Sequence, residues 1–64
     1  MKKTLRQARQ NAGFTLMSAS KLIGCHITSL ARWENDPSMV KASVQEKIAS
    51  AYGLKVSDIQ WRKA

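Results

Sequence analysis

Two stretches with helical patterning, 15–23 and 26–34, are joined through residues 24–26, with residue 26 at the start of the second stretch. This short connection constrains the fold more than any other feature of the sequence. Thr15 can cap the first stretch, because its hydroxyl can accept a hydrogen bond from an unpaired amide of the first turn. Gly24 can adopt the left-handed conformation in which helices commonly end. Two helices joined by so few residues must cross steeply and at close range.

The side chains around this turn fit such a crossing. Close approach of two helices requires small side chains, and Ala19 and Ser20 supply them in the turn before the glycine. Leu30 and Trp33 are three positions apart, so both can face the core from the second helix. The positions left facing outward near its start are Ile27, Thr28, Ser29 and Arg32, a face without acidic residues. A helix in the major groove of DNA presents its N-terminal residues to base edges, and this face would suit that position.

The remaining signals along the chain are also helical. Thr4, with Gln7 three residues later, predicts a capped first helix that ends at Gly13. The stretch Ser43-Val44-Gln45-Glu46 predicts a capping box for a fourth helix, and a last helical turn is expected near 57–59. No stretch alternates between apolar and polar residues as a strand would. We therefore predict an all-α fold of four to five short helices, formed by residues 1–64 as a single domain with short basic ends.

The charge of the chain favours a polyanionic partner. Eleven Lys and Arg residues face four acidic ones, giving a net charge of +7 on 64 residues. Such a basic field attracts nucleic acid most often and anionic membrane less often, although solubility alone is the simpler interpretation. One cysteine excludes an internal disulfide, and no run of apolar residues approaches the ~18 of a membrane span. We expect a soluble, cytoplasmic protein with no membrane association.

Catalytic and metal chemistry find little support. One histidine, one cysteine and four scattered acids do not suggest a catalytic pair in a pocket. Cys25 and His26 are adjacent, but the further ligands that zinc requires do not accompany them. We expect no enzymatic activity, no metal, no cofactor and no small-molecule ligand.

From Leu5 to Ile59 the chain resembles the Cro and lambda-repressor-type (XRE-like) helix-turn-helix family. The pairing of Gly24 with Glu34 ten residues later is a fairly specific part of the resemblance. The matching positions are Leu5-Arg6-x-x-Arg9, Gly13-Phe14-Thr15, Ser20, Leu22-Ile23-Gly24, Leu30, Arg32-Trp33-Glu34, Pro37, Ile48-Ala49 and Tyr52-Gly53-Leu54. The resemblance implies a compact, five-helix, lambda-repressor-like domain that binds operator DNA, commonly as a dimer, in the bacterial cytoplasm and on the nucleoid.

The resemblance also implies which residues contact DNA bases. Ile27, Thr28 and Arg32 would be the main base-contacting residues, with Ser29 nearby. Arg32 would make a bidentate contact to guanine or else a phosphate contact. Ile27 would touch a thymine methyl if it is exposed rather than packed in the core. The hydroxyls of Thr28 and Ser29 would bind DNA or form hydrogen bonds at the start of their own helix.

The phosphate contacts and one structural pair are carried over in the same way. The backbone amides of Thr15 and Leu16 would meet a phosphate at the start of the second helix, and Asn35 would do so after the third. His26 would contact a phosphate or cap its helix. Arg9 would form a salt bridge with Glu34 that links the first helix to the third, would contact a phosphate, or would do both. The residues expected to contact phosphates are therefore Thr15, Leu16, His26, Asn35 and Arg9.

Three positions depart from the family pattern. Leu16 stands where the family usually has Gln, so only its backbone contact carries over. Ala19 replaces a core Leu, and Met17 is the candidate to fill the space. The segment 37–53 is longer than in common members, so its loop geometry is not carried over from the family.

These features lead to one main hypothesis and two alternatives. The main one is a sequence-specific, double-stranded-DNA-binding transcriptional regulator, a Cro-like repressor of a phage or mobile element. It would act as a homodimer, at least on DNA. For a chain of this length, repression by occupying the operator is more natural than ligand sensing. The alternatives are an autoregulating antitoxin, and an antirepressor or protein-interaction module that does not bind DNA.

Overall fold

The computed structural model describes residues 2–62. Met1 lies outside the described residues, as do Lys63 and Ala64 of the expected basic C-terminal end. The elements in chain order are α1 (Leu5–Asn11), α2 (Leu16–Ile23), α3 (Ile27–Asn35), a 3₁₀ turn (Pro37–Met39), α4 (Ala42–Ala51) and a second 3₁₀ turn (Val56–Asp58). The prediction of an all-α fold with a tight turn between α2 and α3 is confirmed.

Side-chain caps fix the starts of the first two helices. Thr4 Oγ1 accepts a hydrogen bond from the Gln7 amide at 3.1 Å, and Gln7 Oε1 accepts one from the Thr4 amide at 3.0 Å. Thr15 and Ser18 form the same reciprocal pair at the start of α2. Each pair satisfies two amides that would otherwise lack a partner in the helix.

The turn between α2 and α3 is built on Gly24, which has a φ of 86°. Its amide and the amide of Cys25 both donate to the Ser20 carbonyl, at 2.9 and 3.0 Å. These bonds satisfy a carbonyl at the end of α2 and send the chain directly into α3. A side chain at this φ would be strained, which explains the glycine.

The start of α4 differs from the prediction. The helix begins at Ala42, its N-cap residue is Lys41, and no side chain caps it. The predicted capping box at Ser43 is therefore wrong, because the 3₁₀ turn before Lys41 brings the chain into helical geometry two residues earlier. The Gln45 side chain instead donates to the Val40 carbonyl at 3.1 Å.

The core lies where α1, α3 and α4 meet α2 and the residues 56–62, here called the C-terminal segment. Its most deeply buried large side chains are Leu5, Leu30, Ile48 and Ile59, each with a relative exposure below 2%. Ala19 is fully buried, but Met17 is 57% exposed and does not fill the space beside it. The expected role of Met17 in the core is therefore wrong.

The two ends of the described chain are joined by an isolated parallel β-bridge between Lys3 and Ile59. The Lys3 amide donates to the Asp58 carbonyl at 3.0 Å, and the Gln60 amide donates to the Lys3 carbonyl at 2.8 Å. Trp61 Nε1 donates to the Val56 carbonyl at 2.9 Å, which folds the segment back on itself. The C-terminal segment is thus anchored to α1 through the residues that precede it.

Tyr52 gives the fold a dependence on alkaline pH. Within residues 2–62, its buried hydroxyl has no hydrogen-bond partner. Burial and then the nearby negative charge of Glu34 raise the pKa of Tyr52 to about 12, against about 10 for an unperturbed tyrosine. Above pH 10 the unfolded chain loses this proton while the folded chain keeps it, so stability falls as pH rises.

We therefore expect the Tyr52→Phe variant to lose less stability than the parent chain above pH 10. The difference should grow by about 1.4 kcal/mol per pH unit until the folded pKa is reached. Urea unfolding of both proteins from pH 8 to pH 12 measures it, because the two proteins differ only in this hydroxyl. Parallel pH profiles would contradict the buried, protonated hydroxyl.

Candidate nucleic-acid interface

The start of α3 presents an exposed face without acidic residues. Thr28 and Arg32 are exposed, and Ile27 retains 37% of its surface in solvent. Ser29 is half-buried, so it is less accessible than its three neighbours. The next residue of the helix, Leu30, is fully buried and holds the opposite face against the core. One rigid helix therefore carries an apolar anchor on one side and Ile27, Thr28 and Arg32 on the other.

His26 precedes this helix as its N-cap residue. Its Nδ1 accepts a hydrogen bond from the Thr28 amide at 3.4 Å, a long and therefore weak contact. The imidazole is exposed. The structure thus places His26 at the cap of α3, with its ring still accessible to a ligand.

At the start of α2, one backbone amide is available to a phosphate where two were expected. The Thr15 amide donates to Ser18 Oγ at 2.9 Å, so the capping pair already uses it. The Leu16 amide lies in the first turn of the helix, where amides lack a partner within the helix. Its side chain is half-buried and packs against the core. Leu16, and not Thr15, is therefore the position with a backbone donor for a phosphate.

Asn35 lies at a different place from the one expected. It is the last residue of α3 and does not belong to the following loop. Its backbone amide belongs to the hydrogen-bond pattern of the helix, so it is not free as the amide of a loop residue would be. Its side chain is exposed. Any contact with DNA would therefore use the side-chain amide.

Arg9 and Glu34 join α1 to α3. Arg9 Nε is 2.7 Å from Glu34 Oε2, and the two side chains retain only 10% and 9% of their exposure. Arg9 also donates from a terminal nitrogen to the Phe14 carbonyl at 2.9 Å. These bonds hold the guanidinium mostly inside the protein, although Arg9 also lines the groove that contains Leu16 and Asn35. Its place is that of a structural link.

A comparison with known protein families identifies the family to which this helix pair belongs. A family model described as a helix-turn-helix domain matches residues 3–61. The chain belongs to this helix-turn-helix domain family. No match was found among curated proteins or among solved structures. Membership of the family indicates a DNA-binding regulator, and it agrees with the resemblance seen in the sequence.

Two grooves beside the helix-turn-helix unit contain arginines that the sequence analysis did not assign to the interface. Arg6 lines a groove with Leu16 and Asn35, between α1, the start of α2 and the end of α3. Arg62 lines a second groove, which also contains Asn35. Arg6 is exposed on α1 and Arg62 is exposed near the end of the described chain, and no sequence signal placed Arg62 beside α3.

Within residues 2–62, no cluster of three or more histidine, cysteine, aspartate or glutamate side chains could hold a metal ion. Burial raises the pKa of the Cys25 thiol. No helix in the described range is long and apolar enough to span a membrane.

Proposed function

We propose that this chain is a sequence-specific, double-stranded-DNA-binding regulator, a small Cro-like repressor of a phage or mobile element that acts by occupying its operator. The observation that carries the proposal is the exposed, acid-free face at the start of α3. A carboxylate there would repel phosphates and restrict base contacts, whereas Thr28 and Arg32 offer hydrogen-bond donors.

Each exposed side chain on α3 has a distinct proposed role. Arg32 donates two hydrogen bonds to one guanine, Thr28 donates to a base or its phosphate, and Ile27 contacts a thymine methyl. Ser29 contributes less, because it is half-buried. Specificity then comes from α3, while phosphate contacts set the register of the domain on the duplex.

The proposed phosphate contacts flank this helix. The Leu16 amide meets one phosphate at the start of α2, where the positive end of the helix dipole favours an anion. The Asn35 side chain and the His26 ring extend the contact at the two ends of α3. Thr15 supports Leu16 through its cap and makes no separate amide contact.

We further propose that two copies bind together on DNA. Within the described residues one copy carries a single helix-turn-helix unit, formed by α2 and α3. Two half-sites on one face of DNA are separated by one helical turn, roughly 34 Å. A two-fold operator would therefore take one α3 in each half-site and require a homodimer. Ile59, near the end of the described chain, is fully buried, so it is not available to a dimer surface.

The test is selection of binding sites from a random duplex library with the parent chain, Arg32→Ala and the control Lys47→Ala. Lys47 is exposed on α4, so its loss removes one positive charge away from α3. We expect the parent chain and the control to select the same two-fold motif. Arg32→Ala should lose about 1–3 kcal/mol of discrimination at one position in each half-site.

Other outcomes would contradict the proposal. If the parent chain enriches no motif and its weak binding vanishes as salt rises, its basic surface gives only non-specific attraction. An unchanged motif with Arg32→Ala would remove Arg32 from the base contacts. The two results are separable, because the first concerns the parent chain and the second only the variant.

A further inference from the structure

Asn35 lies at the border of two neighbouring grooves, and each contains an exposed arginine. On one side the groove is formed with α1 and holds Arg6. On the other side it is formed with the C-terminal segment and holds Arg62 and Gln60. Asn35 therefore shares one groove with Arg6 and the other with Arg62, and these two arginines come from opposite ends of the chain.

The acidic residue that borders these grooves does not neutralise the charges of Arg6 and Arg62. Glu34 borders both of them, but its side chain retains only 9% of its exposure and its oxygens lie 2.7 and 3.4 Å from Arg9 nitrogens. That charge is already paired within the protein. Arg6 and Arg62 are exposed, so the grooves present two positive charges to solvent.

The position of Arg62 follows from backbone contacts. The bridge between Lys3 and Ile59 and the bond from Gln60 to Lys3 hold the segment against the start of α1. Trp61, immediately before Arg62, is tied to the Val56 carbonyl. Lys2 lines a further groove with Arg62, which continues the positive surface along the bridge.

We propose that Arg6, Asn35 and Arg62 form a binding site for the sugar-phosphate backbone of DNA, here called the backbone site. This inference rests on the proposed function. Guanidinium groups bind phosphate oxygens with two parallel hydrogen bonds, and the amide of asparagine can donate to a third oxygen. The backbone site would extend the contact from the helix-turn-helix unit to the paired chain ends.

The backbone site predicts how the affinity for DNA depends on salt concentration. Each phosphate contact contributes about 0.9 to the slope of log affinity against log salt, whatever the base sequence. Contacts to the backbone also change affinity nearly equally for all duplexes, unlike contacts to bases. The backbone site and the base-contacting face of α3 can therefore be separated in one experiment.

The experiment measures binding of the full chain to its selected duplex and to a random duplex from 0.05 to 0.5 M salt. The variants are Arg6→Gln, Arg62→Gln and the double variant, with Lys47→Gln as the matched control. Each replaced side chain is exposed, so folding should be preserved, and the thermal midpoint of every variant verifies this. Lys47 borders a separate groove beside Leu22, which shares no lining residue with the two grooves at Asn35.

We expect each arginine variant to flatten the slope by about 0.9 on both duplexes, and the double variant by about 1.8. At 0.1 M salt this corresponds to roughly eightfold weaker binding for each arginine. The selected motif should stay unchanged. Lys47→Gln should alter the slope little, because screening at this salt limits its effect beyond roughly 10 Å.

Two results would overturn the inference in distinguishable ways. If the parent chain selects a motif but both arginine variants match Lys47→Gln, the backbone site is wrong and the proposed function stands. If the parent chain binds neither duplex, the proposed function fails and the backbone site fails with it.

Discussion

Replacing Glu34 with alanine is expected to lower the free energy of unfolding by about 3–5 kcal/mol, because it leaves the buried Arg9 cation without its partner. Arg9 donates to both Glu34 oxygens, and the two side chains are about nine-tenths buried. A domain of this size has a total stability of roughly 3–10 kcal/mol. Glu34→Ala should therefore unfold at a much lower urea concentration, or fold incompletely at 25 °C.

A double variant separates the unpaired charge from the loss of packing. Arg9→Met with Glu34→Leu removes both charges and retains apolar volume, so it should be more stable than Glu34→Ala alone. It still leaves the Phe14 carbonyl without the bond from Arg9, which should cost about 1 kcal/mol. Equal urea midpoints for Glu34→Ala and the parent chain would show that the pair contributes nothing to stability.

The parts of this fold that the sequence predicted correctly are those decided by local chemistry. Thr4 and Thr15 are caps because hydroxyls next to a helix start satisfy free amides wherever the helix lies in the fold. Gly24 ends α2 because a left-handed residue is needed there. Such features depend on a few neighbouring residues, so a single sequence is sufficient to locate them.

The errors arose where distant parts of the chain decide the geometry. Ser43 has the sequence of a cap, but the path of the chain after Pro37 starts α4 earlier, at Ala42. The bridge between Lys3 and Ile59 joins the two ends of the chain and has no periodic signature. Because this bridge brings Arg62 near α3, no sequence pattern could predict that position.

The candidate interface shows the same division. The exposure of Thr28 and Arg32 and the burial of Leu30 follow from helical spacing. The engagement of the Thr15 amide was missed, because the capping partner is Ser18 and not the glutamate or glutamine that the usual pattern contains. The selection experiment with Arg32→Ala tests whether this face binds DNA.

The second large effect concerns Leu30, which attaches the proposed recognition helix to the core. Its side chain is fully buried on the face of α3 opposite Thr28 and Arg32. Leu30→Ala should lower the free energy of unfolding by about 2–5 kcal/mol, because it removes buried apolar surface and leaves a cavity. For a domain of this length each kcal/mol shifts the thermal midpoint by about 4–8 °C.

Leu22 provides the same substitution in a different environment. It lies on α2 and is 55% exposed, so Leu22→Ala should change stability by less than about 0.5 kcal/mol. Calorimetric melting of the two variants beside the parent chain therefore isolates burial from side-chain chemistry. If both leucines shift the midpoint equally, α3 is not held to the core through Leu30, and the rigid presentation of Ile27, Thr28 and Arg32 loses its physical basis.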